Sequence, residues 1–304
     1  MASASVQLRL PPALGLGPNQ VLYKTVENEV DANMKNIRVA SLEQINLNEM
    51  TEIWNRCWRG YYYDMSYTPG HMKGWLDLSQ VSLQNSMAIY VEDRIVGFAL
   101  LSVDGTDGWI AGACIDPKYR RKGLFTALMR IELDVARRAG LKQVYLEVLE
   151  QNHALKVYES VGFVQMRPLN IYRLQNRIEG PNKIVEIRPL ESVSIEIYFD
   201  KRRVQFNPAW QRRENYLRRH VNIFAVMNSS RSAGALFASN KTALVLDAWS
   251  TTVVGAEDVI CDIVLRSGTS WSLTNQPDDQ MAAFLKARGM IRSAKQIEMC
   301  IELA

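Results

Sequence analysis

The sequence predicts an α/β fold with mixed (α+β) sheets, arranged as two domains of similar element order. The chain has 304 residues, which is long for one hydrophobic core and suits two domains of roughly 150 residues each. β-rich runs alternate with amphipathic helical segments along most of its length. A polar stretch at 175–183, which contains Gly180 and Pro181, separates the two halves.

The first half has the more regular pattern, which starts at Asn36 after an N-terminal extension, residues 1–35. β-rich runs predict strands at 37–40, 87–91, 95–103, 109–115, 143–149, 163–166 and 170–174. Helices are predicted at 42–58, at 71–78, directly after Gly123, and from an N-cap at Asn152 to about Ser160. The helix after Gly123 is the clearest, because one face carries its apolar residues: Leu124, Leu128, Ile131 and Val135.

The second half repeats this order with weaker signals. A strand at 185–190 echoes the first strand of the chain, and a helix is predicted at 208–219. Further strands are predicted at 223–227, 233–238, 242–248 and 271–273, helices at 256–266 and 278–288, and a final element at 296–303. An internal duplication at the level of the fold accounts for this order.

The bulk composition argues against several classes of protein. The apolar fraction of 47% is ordinary for a globular protein, and no run of 18 apolar residues predicts a membrane span. The net charge of +4 comes from local basic clusters, which favours a small anionic ligand over nucleic acid. Four singly spaced cysteines and three dispersed histidines predict neither a disulfide framework nor a metal site, and they fit the cytoplasm. The N-terminus lacks the basic start of a signal peptide, so we expect a flexible extension or an arm packed on the body.

A basic turn with one glycine opens the helix after Gly123. Backbone N–H groups at a helix start, next to the cationic side chains of Arg120, Arg121 and Lys122, form a site suited to a phosphate or pyrophosphate. Taken alone, three basic residues are as typical of a solvated charged surface. A second segment strengthens the phosphate interpretation, because Asn152, Ala154, Tyr158 and Gly162-Phe163 follow at a suitable distance.

These two segments together resemble the GCN5-related N-acetyltransferase (GNAT) superfamily over about 36–174. The phosphate loop of the family has the pattern Arg/Gln-x-x-Gly-x-Gly/Ala. This chain departs from the pattern at the last position, where Phe125 replaces a small residue. The resemblance implies two tandem acyl-CoA N-acyltransferase-like domains. It places a catalytic GNAT domain at 36–177 and a degenerate GNAT-like domain at 183–304.

The resemblance also implies acetyl-CoA as cosubstrate and assigns residues to it. Tyr158 would act as general acid toward the leaving thiolate, and Glu147 is the candidate for accepting the proton of the amine. A purely structural role for Tyr158, as a core tyrosine on a short helix, stays open. The implied cofactor-binding residues are Ala113, Ile115, Arg120, Arg121, Lys122, Gly123, Leu124, Phe125, Thr126 and Asn152.

An aromatic cluster between the first strand and the first hairpin is the candidate acceptor pocket. Aromatic walls with one acidic group suit a cationic or amine-bearing substrate. The predicted substrate-binding residues are Trp54, Tyr61, Tyr62, Tyr63, Asp64 and His71.

The second half lacks the features that the first half carries. Its corresponding loop, 250–255, has no basic residue, and Leu285 stands where a tyrosine is expected. We therefore expect one active site, in the N-terminal half, that moves acetyl from acetyl-CoA to a primary amine of a small molecule or peptide. The second half would support the active half, close the acceptor cleft or form a homodimer surface. A non-catalytic acyl-CoA sensor and a structural scaffold are the alternatives.

Overall fold

The computed structural model describes residue 30 and residues 36–174, 190–204, 206–239, 244–267, 271–290 and 292–303. The predicted N-terminal extension (apart from residue 30), the hinge at 175–183 and the strand at 185–190 (apart from Leu190) lie outside the described residues. The chain divides into two compact units. Unit 1 takes the described chain up to Leu146, His153–Gln165 and the residues from Met299, and unit 2 takes Glu147–Asn152 and Met166–Glu298. The domain boundaries at 36–177 and 183–304 stay a prediction.

Unit 1 is built on a sheet with the strand order β1-β2-β3-β4-β5. Neighbouring strands pair antiparallel except β4 and β5, which are parallel. The end of the chain belongs to this unit too, since the Leu303 N–H donates to the Lys142 carbonyl at 2.7 Å. The strands are β1 (Ile37–Ser41), β2 (Met87–Val91), β3 (Arg94–Asp104), β4 (Asp107–Ile115) and β5 (Gln143–Leu149, up to Leu146 in this unit).

The helices of unit 1 are α1 (Leu47–Cys57), α2 (Pro69–Ser79), α3 (Leu124–Arg138) and α4 (Ala154–Ser160). The first begins later than predicted because the Asn46 side chain caps it, accepting the Glu49 N–H at 2.8 Å. Helix α3 begins after Gly123 as predicted and is followed by Gly140, whose φ of 80° suits a helix stop.

The core of unit 1 follows from the alternation of side chains along β3. Phe98 and Leu100 pack in one cluster with Trp54 of α1 and Met72 of α2. Helix α3 buries the predicted residues Leu124, Leu128 and Ile131, while Val135 is half-buried.

Unit 2 contains two groups of strands. In the first, β11 (Trp271–Pro277) pairs antiparallel with β6 (Val164–Leu174, from Met166 in this unit), and β12 (Arg292–Glu302, up to Glu298 in this unit) is the other neighbour of β6. The second is a four-stranded sheet of order β10-β9-β8-β7. Its strands are β7 (Glu191–Val193), β8 (Ile223–Met227), β9 (Ala233–Ala238) and β10 (Leu244–Ser250). β6 is continuous where the sequence predicted two short strands.

The helices of unit 2 are α5 (Ile195–Arg203), α6 (Glu214–Leu217), α7 (Val253–Ser267) and α8 (Gln280–Ala287). The predicted helix at 208–219 is wrong, because Arg213 is extended (ψ 148°) and leaves only a 3₁₀ turn, Trp210–Arg212, and the single turn α6. Helix α5 was not predicted, because its Ile195 and Ile197 are β-branched and favour a strand; Ser194 caps it by accepting the Ile197 N–H.

The predicted α/β fold with mixed sheets is confirmed. Among the residues that the structure describes, no helix combines the length and apolar character that a membrane crossing needs.

Candidate active site

The central strands of unit 1 separate at the position where the cofactor strand was predicted. Strand β4 pairs with β5 from Asp107 to Trp109, and the described ladder between them ends there. On its other side β4 pairs with β3 as far as Ile115. The edge of β4 that faces β5 therefore carries backbone donors and acceptors at 110–115 outside that ladder, and this stretch contains Ala113 and Ile115.

The start of α3 has the geometry of an anion site. Gly123 precedes the helix in the left-handed conformation (φ 77°), and no side chain accepts a capping hydrogen bond there. The first intrahelical bond runs from the Ala127 N–H to the Gly123 carbonyl, so the amides of Leu124, Phe125 and Thr126 point out of the helix end. These donors lie at the positive end of the dipole of a fifteen-residue helix.

The basic residues of the turn differ in what they contact. Arg120 holds the turn in place, donating from Nε to the Ile115 carbonyl (3.1 Å) and from Nη2 to the Cys57 carbonyl (2.7 Å). Arg121 is exposed and, like Gly123, has a positive φ (61°). The Lys122 ammonium lies 5.7 Å from the centroid of the Tyr119 ring. Arg121 and Lys122 are thus the more available charges for a ligand.

Tyr158 is a buried titratable group near this turn. It is 7% exposed, and burial raises its pKa, with smaller contributions from nearby Tyr61 and Cys114. Its ring makes edge contacts with Phe125 (centroids 5.6 Å apart) and Phe163 (5.8 Å). The phenol therefore stays protonated over the ordinary pH range.

The other residues of the second segment lie at the end of β5 and the loop after it. Glu147 is half-buried in β5, and the Asn152 N–H donates to the Leu149 carbonyl at 2.8 Å. The expectation that Asn152 is the N-cap is wrong, because α4 begins at Ala154 and His153 occupies the cap position. Roles of Glu147 in catalysis and of Asn152 in cofactor binding stay predictions.

A cavity of about 450 Å³ opens in the loop between α1 and α2. Tyr61, Tyr62, Tyr63 and Asp64 line it, together with Asn55, Trp58, Arg59, Gly60, Met65 and Ser66. Asp64 is exposed, and hydrogen bonds from Ser66 lower the pKa of its carboxyl. The cavity thus combines aromatic rings with a carboxylate that is charged at neutral pH.

Two predicted substrate residues lie outside the lining of this cavity. Trp54 is 1% exposed and forms the core behind it, with its ring 5.3 Å from Trp58 and stacked on Tyr67. Its Nε1 donates to the Met65 carbonyl at 2.6 Å, which holds the loop. His71 is exposed in the first turn of α2, where its N–H donates to Thr68 Oγ1.

The cavity loop is fixed by polar contacts that sequence analysis missed. The Asn55 side chain donates from Nδ2 to the Tyr67 carbonyl at 2.9 Å, and its Oδ1 accepts the Tyr67 N–H at 2.8 Å. Arg56 pairs with the buried Asp116 at 2.8 Å, which ties α1 to the turn that precedes Arg120. The Asp116-Pro117 pair, a turn former, was the only local signal for this contact.

Cys114 lies beside Ala113 and Ile115 without the properties of a nucleophile. It is buried, and desolvation together with Cys57 raises the pKa of its thiol. These properties do not favour Cys114 as the nucleophile of an acyl-enzyme.

The corresponding helix start in unit 2 is closed by its own side chains. Ser250 Oγ accepts the Thr252 N–H at 3.1 Å, and Thr252 Oγ1 accepts the Gly255 N–H at 3.0 Å. Leu285 is fully buried in the apolar core of this unit. The start of α7 therefore offers a ligand fewer donors than the start of α3.

Comparisons with known proteins find a family match within the first half of the chain. Residues 45–163 match the acetyltransferase (GNAT) family. One curated relative is the [ribosomal protein bS18]-alanine N-acetyltransferase of Salmonella typhimurium, 29% identical over 79 residues, which are 26% of this chain and 53% of the relative. Another is N-alpha-acetyltransferase 30 of Xenopus laevis, 38% identical over 68 residues, which are 22% of this chain and 25% of the relative. The chain thus spans about half of the length of the bacterial relative.

Two solved structures resemble the chain over most of its length. A putative acetyltransferase from Pyrococcus horikoshii covers 90% of this chain and 92% of its own, with a TM-score of 0.64 and 15% identity. A tandem GNAT protein from the clavulanic acid biosynthesis pathway covers 88% of this chain and 98% of its own, with a TM-score of 0.61 and 14% identity. At these identities the likeness concerns the fold, and it extends through both halves.

Proposed function

We propose that this chain transfers the acetyl group of acetyl-CoA directly to a primary amine, because residues 45–163 match the acetyltransferase (GNAT) family. One observation carries the proposal: the open start of α3 and the buried Tyr158 are joined through the ring of Phe125. Direct transfer from a thioester needs both an anchor for the pyrophosphate and a proton source for the leaving sulfur.

The residues of unit 1 fit acetyl-CoA. The outward amides of Leu124, Phe125 and Thr126 would hold the pyrophosphate, with charge from Arg121 and Lys122. The edge of β4 at Ala113 and Ile115, outside the ladder with β5, would bind the amides of the pantetheine arm.

In the proposed reaction a neutral amine attacks the carbonyl carbon of the thioester, forming the C–N bond. A backbone N–H of β4 at 113–115 would stabilise the negative charge that develops on the carbonyl oxygen. The C–S bond then breaks, and the phenol of Tyr158 supplies a proton to the sulfur, to be restored from solvent. The nitrogen loses its extra proton to water or to a carboxylate; Glu147, the candidate from the sequence, belongs to unit 2.

The raised pKa of Tyr158 affects the transfer of its proton to the leaving sulfur. A phenol that holds its proton tightly is a weak acid toward a solvated thiolate. Inside the same apolar environment the thiolate is destabilised as well, which raises its own proton affinity. The proton transfer is therefore less unfavourable in the site than the pKa of Tyr158 alone suggests.

The acceptor would enter the 450 Å³ cavity beside Tyr61–Tyr63 and Asp64. This volume accommodates a small amine or the first residues of a peptide. The two relatives are named as an alanine N-acetyltransferase for ribosomal protein bS18 and as an N-alpha-acetyltransferase, which supports a peptide amine for this chain. A small-molecule amine is the second candidate, favoured by the aromatic walls with their single carboxylate.

We place the one working site in unit 1. Self-capping of the α7 start by Ser250 and Thr252, and the burial of Leu285 in the core, support this assignment. Unit 2 would then support the active unit or provide a homodimer surface. The singly spaced cysteines favour a cytoplasmic location.

Two measurements on the full chain test the proposal. Calorimetry with acetyl-CoA should show one binding site per chain, and thiol release should follow when peptide N-termini, amino acids and polyamines are offered. Binding without thiol release from any amine would favour an acyl-CoA sensor. No binding at all would favour a scaffold and end the proposal.

A further inference from the structure

Phe125 is the residue at which the chain departs from the small residue of the GNAT loop pattern, and it contacts the proposed general acid. It is the second residue of α3 and is half-buried. Its ring lies 5.6 Å from that of Tyr158, at an interplanar angle of 68°. An edge-to-face pair of this kind has a preferred geometry, so each ring restricts the other.

Tyr158 needs such restriction because its own helix is short. Helix α4 has seven residues, too few to be stable alone, and His153 at its N-cap makes no side-chain capping bond. The position of the Tyr158 hydroxyl therefore depends on packing. Phe163 packs on the ring at 5.8 Å and 72°, and the Phe163 N–H donates to the Tyr158 carbonyl.

Phe125 differs from Phe163 in its place in the chain. Phe163 lies in the same segment as Tyr158, whereas Phe125 belongs to the first turn of α3, whose amides face the proposed pyrophosphate site. A small residue at 125 would leave the donors in place but remove the ring contact. The bulky residue thus joins the cofactor-binding turn to the proton donor.

We propose that Phe125 is a positioning residue, which sets the Tyr158 hydroxyl relative to the cofactor-binding turn and keeps water from it. The inference rests on the proposed function in taking Tyr158 as the proton donor. Phe125 itself touches no reacting atom in this scheme. It acts through Tyr158, so its whole effect on the rate should require the Tyr158 hydroxyl.

A double-mutant cycle tests this dependence. Phe125→Leu keeps an apolar side chain and should lower kcat about two- to tenfold with little change in the KM for acetyl-CoA. In the Tyr158→Phe background the same substitution should leave kcat unchanged. An equal loss of kcat in both backgrounds, or a loss expressed as a higher KM, would overturn the inference.

A spectroscopic titration separates this inference from the proposed function. The tyrosinate signal of Tyr158 is obtained as the difference in ultraviolet absorbance, followed as pH rises, between the chain and its Tyr158→Phe variant. Phe125→Ala should admit water and move that titration to lower pH, while Tyr61 and Cys114, the other titratable groups near Tyr158, remain in place. This readout needs no amine substrate. An unchanged titration in a folded Phe125→Ala chain contradicts the inference even if acetyl transfer is confirmed.

Discussion

The starts of α3 and α7 are two versions of one structural element with different uses. Each helix has fifteen residues and follows a strand of its own unit, β4 or β10. At α3 the preceding residue is Gly123 and no side chain caps the helix. At α7 the hydroxyls of Ser250 and Thr252 accept the local N–H groups. The same backbone end is stabilised internally in one unit and left open to a ligand in the other.

This difference has an energetic meaning. A capping hydroxyl contributes about 1 kcal/mol to stability, and a helix start without one forgoes that contribution. When an anion binds, it accepts hydrogen bonds from the uncapped backbone N–H groups and interacts favourably with the helix dipole, so that the bound ligand supplies the missing stabilisation. The basic side chains follow the same division, since Arg120, Arg121 and Lys122 precede α3 and 250–255 contains no basic residue.

The sharpest way to break the comparison is to remove the hydroxyl of Tyr158, the proposed proton donor in unit 1. We expect Tyr158→Phe to lower kcat by roughly 100-fold or more while the KM for acetyl-CoA changes little, because the hydroxyl acts late in the reaction. The matched control is Leu285→Met, a conservative change in the core of unit 2, which should leave the rate unchanged. Steady-state thiol release measures both, and full activity of Tyr158→Phe at every pH would refute the assignment.

The helix interiors offer a second contrast, between Glu132 of α3 and Asp262 of α7. Asp262 is paired with Arg266 at 2.5 Å, whereas Glu132 is fully buried and accepts the Met87 N–H. Burial raises the pKa of Glu132 well above its usual value. The folded chain therefore binds this proton more tightly than the unfolded chain does.

The sign of the pH effect follows from that shift. The contribution of Glu132 to stability is complete below its unfolded pKa of about 4.3 and is lost as pH rises toward its folded pKa. Compared with the Glu132→Gln variant, the free energy of unfolding of the native chain should fall by about 1.4 kcal/mol for each pH unit in that window. Denaturant unfolding of both proteins between pH 4 and 8 measures this difference. If the free energy of unfolding has the same pH dependence in both proteins, Glu132 is not buried as a neutral acid.

A third prediction concerns the charges at the open helix start. Arg121→Ala should raise the KM for acetyl-CoA about tenfold, because a charge-assisted contact to phosphate is lost. Arg138→Ala, at the other end of the same helix, is the control with the same change of charge and should leave KM unaffected. If the two variants behave alike, the effect is one of general charge and the anion site at α3 is misplaced.

The smallest expected effect tests the closed helix start. Thr252→Ala removes the hydroxyl that accepts the Gly255 N–H and should cost about 1 kcal/mol of stability. Acetyl transfer at temperatures below unfolding should be unaltered. Calorimetric unfolding and a rate measurement on one preparation check both parts, and a change in the KM for acetyl-CoA would argue for a second cofactor site in unit 2.

Much of the first unit could be predicted because its signals are local. The apolar face of α3, the turn at Gly123 and the strands β2 to β5 follow from periodicity and turn residues read over short windows. The second unit was harder because its local signals mislead: β-branched residues occupy α5, and 208–219 has helical composition but breaks at Arg213. There, long-range contacts outweigh propensity, since Arg212 is drawn into a buried ion pair with Asp247 at 2.7 Å.

The sequence by itself determined most of the order of elements in the first half, the phosphate-loop pattern and the candidate roles of Tyr158 and the basic turn. Only the tertiary structure decided what each side chain contacts. It assigned Arg120 to the carbonyls of Ile115 and Cys57, packed Phe125 on Tyr158, and placed Trp54 in the core behind the cavity. The physical reason is distance along the chain: caps, turns and periodicity act within a few residues, whereas these contacts join residues separated by up to 63 positions.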